Sequence, residues 1–458
     1  MLDLSKLVSN NDTLRTITDL FDEETYLVGG CIRDMLLGNT PQDLDVVTFG
    51  DVWQKARQIG ERFASKAFWM DKDRGVVRIA LKEYGQTIDV CSPKGADLVE
   101  DLKKRDITIN AMGFDVSSGE LIDPAGGLLD LGHGVIRIIS EENLKDDPLR
   151  VIRCLRFSVM LGFAIVESTN TLLKKHASAV LSVSPERIKQ EFLKALSCPY
   201  GARFFSLMDR VGLLEMLFGS EQGMGSRGTR PALILAFEMD GLLYDAEKLL
   251  PGSRQALDNE VEAGLTRAGF LRLAAVLYGI GRSLSIHEPA DFSVDLDRTI
   301  EYVLRSANTF FGSLRFSTSA KETAKRIISC QAILHDMLVR QAQSGGSIHT
   351  ICRAADPFLP EVLLLARAGV CGHGVPLATD QEASRMKDLI ERIWAYQTHT
   401  YLEHKHTPLI SGEDVIHTLG VTPGPQVGRI LHIIEMARAD GALHTRKEAL
   451  EFLTTIDL

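Results

Sequence analysis

The sequence predicts an α+β protein, with a mixed α/β head over residues 1–140 followed by a long succession of helices. Three observations carry that reading. Up to about residue 140, short runs rich in β-branched residues alternate with segments of helical spacing, as strands and helices sharing one sheet do. From Glu141 onward the apolar residues recur with helical periodicity only. The chain has 458 residues, 45% hydrophobic and 24% charged, which is enough to bury the cores of several domains.

Taken in order, residues 14–21 form a short helix leading into a strand, Thr25–Val28, that stops at Gly29-Gly30. Cys31, Ile32, Met35, Leu36 and Leu37 have helical spacing, and Gly38 supplies the left-handed residue that commonly follows a helix. Leu44–Phe49 is the next strand, 52–67 a helix, and Val76–Leu81 and Thr87–Val90 two further strands, with Pro41 and Gly85 between elements. In the helical part, breaks are expected at Gly223–Gly228, Ser344–Ser347 and Val421–Pro425. The expected division is a head (1–140), a neck (141–215), a body (216–340) and a tail (341–458).

Composition narrows the function classes. No apolar run approaches the roughly 18–20 residues that cross a bilayer. The opening Met1-Leu2-Asp3-Leu4-Ser5-Lys6 has no secretion-signal pattern, so the cytoplasm is the expected compartment, with no membrane partner. Seven cysteines with no Cys-x-x-Cys pair argue against a disulfide framework or a zinc ribbon. The net charge of −10 is unusual for a nucleic-acid binder, although only the docking face has to be basic. Arg150, Arg153 and Arg156, with Lys103-Lys104-Arg105, are the basic clusters.

Asp43 and Asp45 carry the first chemical signal. Residues i and i+2 of a strand share a face, so these two carboxylates stand side by side, suited to bridging two Mg²⁺ ions about 3.5–4 Å apart in a nucleotidyl transfer. Asp89, on the strand Thr87–Val90, is a third carboxylate from a neighbouring strand. Gly29 and Gly30 end a strand just before a helix, where bare backbone N–H groups can approach a triphosphate. Arg33, one turn in, can add a charge-assisted contact. Each alone has a bland explanation: surface acids, a tight turn, a solvated arginine. The segment Asp146–Phe157 likewise reads as a capped amphipathic helix, with Leu149, Ile152, Leu155 and Val159 on one side and Asp147, Arg150, Arg153 and Arg156 on the other.

Together and in this order, the clusters resemble the class II tRNA nucleotidyltransferase and bacterial poly(A) polymerase family. Leu27–Thr48 is similar to its Gly-Gly-x-x-Arg-Asp…Asp-x-Asp motif, and Lys104–Met112 to Arg-Arg-Asp-Phe-Thr-x-Asn-Ala. Asp123-Pro124-x-Gly126-Gly127 is similar to Asp-Pro-Phe-Gly-Gly, Asp146–Phe157 to Glu-Asp-x-x-Arg, and Ser184–Glu191 to Glu-Arg-x-x-x-Glu. The resemblance implies a polymerase-β-like nucleotidyltransferase head with a mixed β-sheet, a helical neck that recognises the base, a helical body, and a tail that binds tRNA. It implies Asp43, Asp45 and Asp89 as catalytic residues, with Asp43 and Asp45 holding the metal. Gly29, Gly30, Arg33, Arg105, Asp106, Asn110, Asp147, Arg150, Arg153 and Arg156 would bind the nucleotide. Within that set, Arg105 and Asp106 would hold the sugar, and Asp147 with Arg150 would read the Watson–Crick edge. A carboxylate accepts from the exocyclic amine of C or A, and an arginine donates to the adjacent acceptor. UTP and GTP would leave those groups unpaired.

The departures are informative. Lys104, Ile107 and Asp146 stand where the family has Arg, Phe and Glu, and Lys for Arg loses a bidentate contact. Only Val90–Lys104 separates Asp89 from Arg105. CCA-adding members resemble one another in having a longer flexible loop there, and members without it resemble CC-adding enzymes. The resemblance thus implies addition of C to a tRNA 3′ end from CTP, with ATP left open as a second substrate. Poly(A) polymerase or A-adding activity is the nearest alternative, and a non-catalytic RNA-binding scaffold is the alternative of another class.

Further along, Leu271–Arg282 resembles the metal-binding helix of HD-type phosphohydrolases, but Tyr278-Gly279 stand where His-Asp would be, which implies a relic fold. His335-Asp336 reads as incidental on a helix. His399, His404 and His406 do not fall on one helical face and read as a solvated turn rather than a zinc site. Pro408–Asp414 and Pro423–Gly428 resemble the tail of the same family.

Overall fold

The computed structural model describes residues 4–22, 24–218, 225–285, 296–341, 344–371 and 380–456. Two compact units emerge, Met1–Glu191 and Phe192–Leu458.

The first unit is built on a seven-stranded sheet: β1 (Thr25–Val28), β2 (Asp43–Thr48), β3 (Ala67–Asp71), β4 (Val76–Leu81), β5 (Gln86–Cys91), β6 (Gly113–Asp115) and β7 (Glu120–Ile122), in the order β3-β4-β5-β2-β1-β6-β7. Only β2 and β5 run parallel; every other pairing is antiparallel. Period-two alternation sorts the side chains. Leu44 and Val46 of β2, Ile88 and Val90 of β5, and Val77, Ile79 and Leu81 of β4 are buried on one face. The helix Val52–Arg62 packs against β3, β4 and β5, with Ala56 and Ile59 fully buried. The opposite face carries Asp43, Asp45 and Val47 on β2, Asp89 on β5 and Arg78 on β4. Val28 and Val47 on that face are covered by Leu98 and Leu102, from the short helix Leu98–Lys103, together with Ala111.

The predicted helix over 52–67 ends at Arg62, and residues 67–71 form the edge strand β3 instead. Its apolar residues point both ways: Trp69 stacks on Trp53 at 5.4 Å, while Phe68 and Met70 stay exposed, so the alternation is masked. The three-residue strands β6 and β7 are too short for a periodic signal. Two small pairings also lie beyond the sheet, Val135–Ile136 with Ala164–Ile165 and Glu260–Glu262 with Leu265–Thr266, so the part after Glu141 is nearly but not wholly helical.

The second unit is a helical assembly around an aromatic core of Phe192, Phe204, Phe205, Phe270, Phe310 and Phe311. Of the break expected at Gly223–Gly228, Gly223 and Met224 lie outside the described residues. Gly225–Gly228 open the helix Gly225–Tyr244, whose packing on Arg267–Ser285 overrides the poor helix propensity of glycine. Tyr278 and Gly279 have a packing role there. A Cβ on Gly279 would lie 2.5 Å from Ala232 Cα, and one on Gly281 would lie 2.7 Å from Val303 N, so both glycines let neighbouring helices approach closely. Ser344 caps the helix Gly345–Ala355, and the break at Val421–Pro425 separates Gly412–Leu419 from Pro425–Ala439. Among the described residues no helix is long and apolar enough to cross a membrane. Cys31, Cys91, Cys154, Cys198, Cys330 and Cys352 are free thiols.

Candidate active site

The strand register builds the site. Asp45 pairs with Asp89 across the parallel β2–β5 ladder and with Val28 across β1, and Asp89 pairs with Arg78 on β4. One row across the sheet therefore reads Arg78, Asp89, Asp45, Val28. Asp43 stands in the adjacent row and accepts a hydrogen bond from its ladder partner Thr87 through Oγ1. The predicted carboxylates share one face because register places them there.

Arg78 Nε and Nη2 each donate to a different oxygen of Asp89 at 2.7 Å, a bidentate pair. Asp45 has no such partner. Burial pushes its carboxyl up to about 6 although the Arg105 guanidinium pulls it down, and the neighbouring Asp89 and Asp43 carboxylates add to the rise. Three crowded carboxylates, one with enhanced proton affinity, fit a hard divalent cation that takes oxygen ligands. Asp43 and Asp45 are the two not engaged by arginine side-chain hydrogen bonds, and so could hold it.

Gly29 closes the site from the β1 side. Its φ of +80° needs glycine, and a Cβ there would lie 2.6 Å from Arg105 Nη1 and 3.0 Å from Asp45 Oδ2. Its amide, however, donates to the Met112 carbonyl at 2.9 Å and is not a bare donor, because β1 continues its pairing towards β6. Gly30 begins the helix Gly30–Leu36.

Arg105 is set by the short segment after β5. Asp97 caps the helix Leu98–Lys103 by accepting from the Glu100 amide at 2.8 Å. The preceding turn is pinned as well: the Lys94 amide donates to Asp101 Oδ1 at 2.8 Å, and the Ala96 amide to Glu100 Oε2 at 3.0 Å. Asp101 is 3% exposed, and its Oδ2 accepts from Arg105 Nε and Nη2 at 3.3 Å. The segment Val90–Lys104 is thus an ordered clamp that delivers Arg105 over Asp45.

A second, buried network backs this face. Arg33 is 5% exposed; its Nη1 donates to Asn110 Oδ1 at 2.6 Å and its Nε to Asp34 at 2.8 Å. Asp106 accepts from Asn110 Nδ2 (3.2 Å), the Ile107 amide (2.9 Å) and Arg153 Nε (2.8 Å). Burial would raise its pKa, but Arg153 and these hydrogen bonds bring it down to about 2. Arg153 and Arg156 both reach Glu191, at 3.4 and 2.5 Å. Arg33, Arg153 and Arg156 surround the Phe157 ring at 5.3, 5.5 and 4.0 Å. Asp106 therefore has its acceptor positions filled, and meets the site through Arg153 and Asn110.

Asp147 ends the helix Glu141–Asp146, just before Leu149–Leu161 begins. Its Oδ2 accepts from Arg187 Nη2 at 2.7 Å and its Oδ1 from the Leu149 amide at 3.3 Å. Arg150 Nη1 and Nη2 donate to the carbonyls of Asn143 (2.9 Å) and Lys104 (2.7 Å). Asn143 Nδ2 in turn donates to the carbonyls of Lys103 and Arg105. The pair is thereby tied to the backbone that carries Arg105.

Sequence reasoning does not single out Arg78, Asp101 or Asn143, and quotes Phe157, Arg187 and Glu191 only within motifs, with no role for any of them. The signal for Arg78 is a charge at a mid-strand position beside an acidic strand; the Glu-Arg-x-x-x-Glu motif already contains Arg187 and Glu191, but only the fold shows what they bind.

Comparison with known proteins matches residues 25–137 to the Poly A polymerase head domain and 162–222 to the "Probable RNA and SrmB-binding site of polymerase A". Residues 377–453 match tRNA nucleotidyltransferase domain 2. The chain is 28% identical over 432 residues to a CC-adding tRNA nucleotidyltransferase of Geobacter sulfurreducens, covering 93% of this chain and 91% of that one. It is 27% identical over 452 residues to an A-adding tRNA nucleotidyltransferase of Deinococcus radiodurans, covering 94% and 95%. Among solved structures, the Thermotoga maritima CCA-adding enzyme complexed with tRNA superposes with a TM-score of 0.70 at 22% identity, over 99% of this chain and 98% of that one, so the fold is shared. With the Asp-x-Asp face, the glycine turn and the neck network all in place, the chain is a member of the tRNA nucleotidyltransferase and poly(A) polymerase family.

Proposed function

We propose that this protein adds C residues, without a nucleic-acid template, to the 3′ end of tRNA from CTP, releasing pyrophosphate, and that it acts in the cytoplasm. The carrying observation is the juxtaposition of Asp43, Asp45 and Asp89 on one sheet face beneath Arg105. The family uses a divalent metal, here taken as Mg²⁺, which when bound neutralises charge on the attacking oxygen, the α-phosphate and the leaving pyrophosphate.

The chain's own residues divide the remaining work. Asp43 and Asp45 hold the metal, with Asp45 required in its ionised form. Asp89 contributes its charge as the third carboxylate while Arg78 fixes its orientation. Gly29 keeps the backbone low so that Arg105 can approach. Gly30 begins the helix facing the phosphates, and Arg33, anchored by Asn110, adds fixed positive charge. Arg153 and Arg156, locked by Asp106 and Glu191, contribute the same from the neck.

Asp147 and Arg150 act as the base reader. Arg150 commits two of its five N–H donors to backbone carbonyls, so others remain for a base. Asp147 oxygens retain lone pairs beside Arg187 and Leu149. A reader held by the backbone loses little freedom on binding, which sharpens discrimination. Residues 141–191 fall in the same compact unit as residues 1–140, which suits the assignment of the neck to nucleotide recognition, with 216–340 as body and 341–458 as tRNA-binding tail.

The clamped segment Val90–Lys104 supports CC addition over CCA addition, because it is short and its turn is hydrogen-bonded in place. The Deinococcus relative keeps A addition as the second reading. Sequencing the 3′ ends formed from tRNA lacking CCA, with CTP and ATP together, tests the proposal. Products ending in CC support it, and efficient terminal A incorporation overturns the CC assignment. Extension of unstructured RNA into A tracts would point to poly(A) polymerase.

A further inference from the structure

The second unit gathers a separate set of metal-binding side chains. His349 lies on the helix Gly345–Ala355 and is 3% exposed. His432 and Glu435 sit three residues apart on Pro425–Ala439, and so share one side of that helix. One ligand atom from each of the three lies within 4.8 Å of the others. His349 Nε2 stands 3.3 Å from Glu435 Oε2. That is long for a charge-assisted hydrogen bond, but equals the edge of about 3.3 Å between two ligands bound at ~2.0 Å to a tetrahedral zinc. The other nitrogen, Nδ1, meets the Tyr396 hydroxyl at 3.2 Å, the kind of outer partner that orients a ligating imidazole.

Two nearby nitrogens have no hydrogen-bond partner among the described residues. His432 Nδ1 and His404 Nδ1 are both buried and unpaired, which is costly unless something binds there. His404, from the helix Leu402–His406, lines a cavity of about 290 Å³ together with His349 and Glu435. The histidine-rich segment is helical rather than a solvated turn, running through Gln397–Tyr401 and Leu402–His406, and of its histidines His404 lines this cavity.

We propose that His349, His432 and Glu435 bind a divalent transition metal of the zinc class, with the fourth coordination position facing the cavity that His404 lines. Two imidazoles and a carboxylate suit such an ion, whereas the all-carboxylate set at Asp43 and Asp45 suits a hard cation. The bound ion would staple Gly345–Ala355 to Pro425–Ala439. The cavity also contains Arg353, Lys405 and Arg438, which could attract an anion instead. Each already has a partner: Arg353 pairs with Glu435 at 3.0 Å, Lys405 with Asp356 at 2.6 Å, and Arg438 with the Thr407 carbonyl at 2.6 Å. That favours the metal.

The test uses untagged full-length Asp43→Ala/Asp45→Ala protein, which removes the first metal set. After chelator stripping, it is titrated with Zn²⁺ and Co²⁺ against a chromophoric competitor. One tightly held equivalent of each is expected, with the visible absorption of low-coordinate Co²⁺. His432→Ala and Glu435→Gln should each lose that equivalent while retaining the parent far-ultraviolet circular dichroism. Tyr396→Phe should lower affinity roughly 10–100-fold. Absence of a stoichiometric site, or equal binding in His432→Ala and Glu435→Gln, overturns the proposal. So does thermal stabilisation by inorganic phosphate without any by Zn²⁺.

Discussion

Asp45 is where function and stability pull apart, and replacing it with asparagine measures the conflict. Its pKa rises from 3.8 to about 6, chiefly through burial. A group whose folded-state pKa is raised stabilises the fold when protonated; that contribution is complete below the unfolded value near 3.8 and is lost as pH rises through about 6. At neutral pH, ionised Asp45 therefore costs the metal-free protein up to ~3 kcal/mol. The carboxylate is not wholly cut off from water, which trims the expected cost to ~1–3 kcal/mol. Asp45→Asn should accordingly stabilise the metal-free head by ~1–3 kcal/mol at pH 7.5. The advantage should shrink by about half by pH 5, while nucleotidyl transfer is abolished. The assay is urea unfolding in EDTA, followed by Trp53 and Trp69 fluorescence in a Trp394→Phe background, so that the signal comes from the head. Adding Mg²⁺ should return much of the lost stability to the parent and little to the variant. Equal or lower stability of Asp45→Asn at pH 7.5 would refute the reasoning.

Three further outcomes are expected. Glu191→Ala leaves Arg153 and Arg156 without their shared buried partner, and should destabilise the first unit by ~3–5 kcal/mol, read as a lower urea midpoint; a loss under 1 kcal/mol would show that the network is not structural. Gly29→Ala places a Cβ at φ +80° against Arg105, so it should cost ~1–2 kcal/mol of stability but a much larger fraction of kcat; near-parental kcat would remove Gly29 from the site. Asp147→Ala should relax nucleotide choice more than it slows C addition, and an unchanged ratio of CTP to UTP incorporation would exclude Asp147 as the base reader.

Residues close in the chain were the ones the sequence made legible. Asp43 and Asp45 share a face by the two-residue period of a strand, Gly29 ends β1, and the arginines of Leu149–Leu161 recur at helical spacing; each follows from local backbone geometry. The edge strand β3 was hidden because its apolar residues point both ways, and β6 and β7 were too short to show a period. Gly225–Gly228 read as a loop because local propensity knows nothing of the partner helix that packs on the helix they open.

What local sequence determined, then, was the chemical inventory: carboxylates in pairs, a glycine turn, a short segment before Arg105, and arginines on one helical side. Tertiary structure alone decided which of them are free to act. Register set Arg78 opposite Asp89 and left Asp45 to carry a raised pKa, and packing gave Asp106 to Arg153 and joined Arg156 to Glu191 across 35 residues. It likewise brought His349 to His432 and Glu435 from more than 80 residues away in the chain. The reason is physical: spacing fixes which way a side chain points along its own element. Which charge it meets, and how much water it loses, depend on elements far off in the chain.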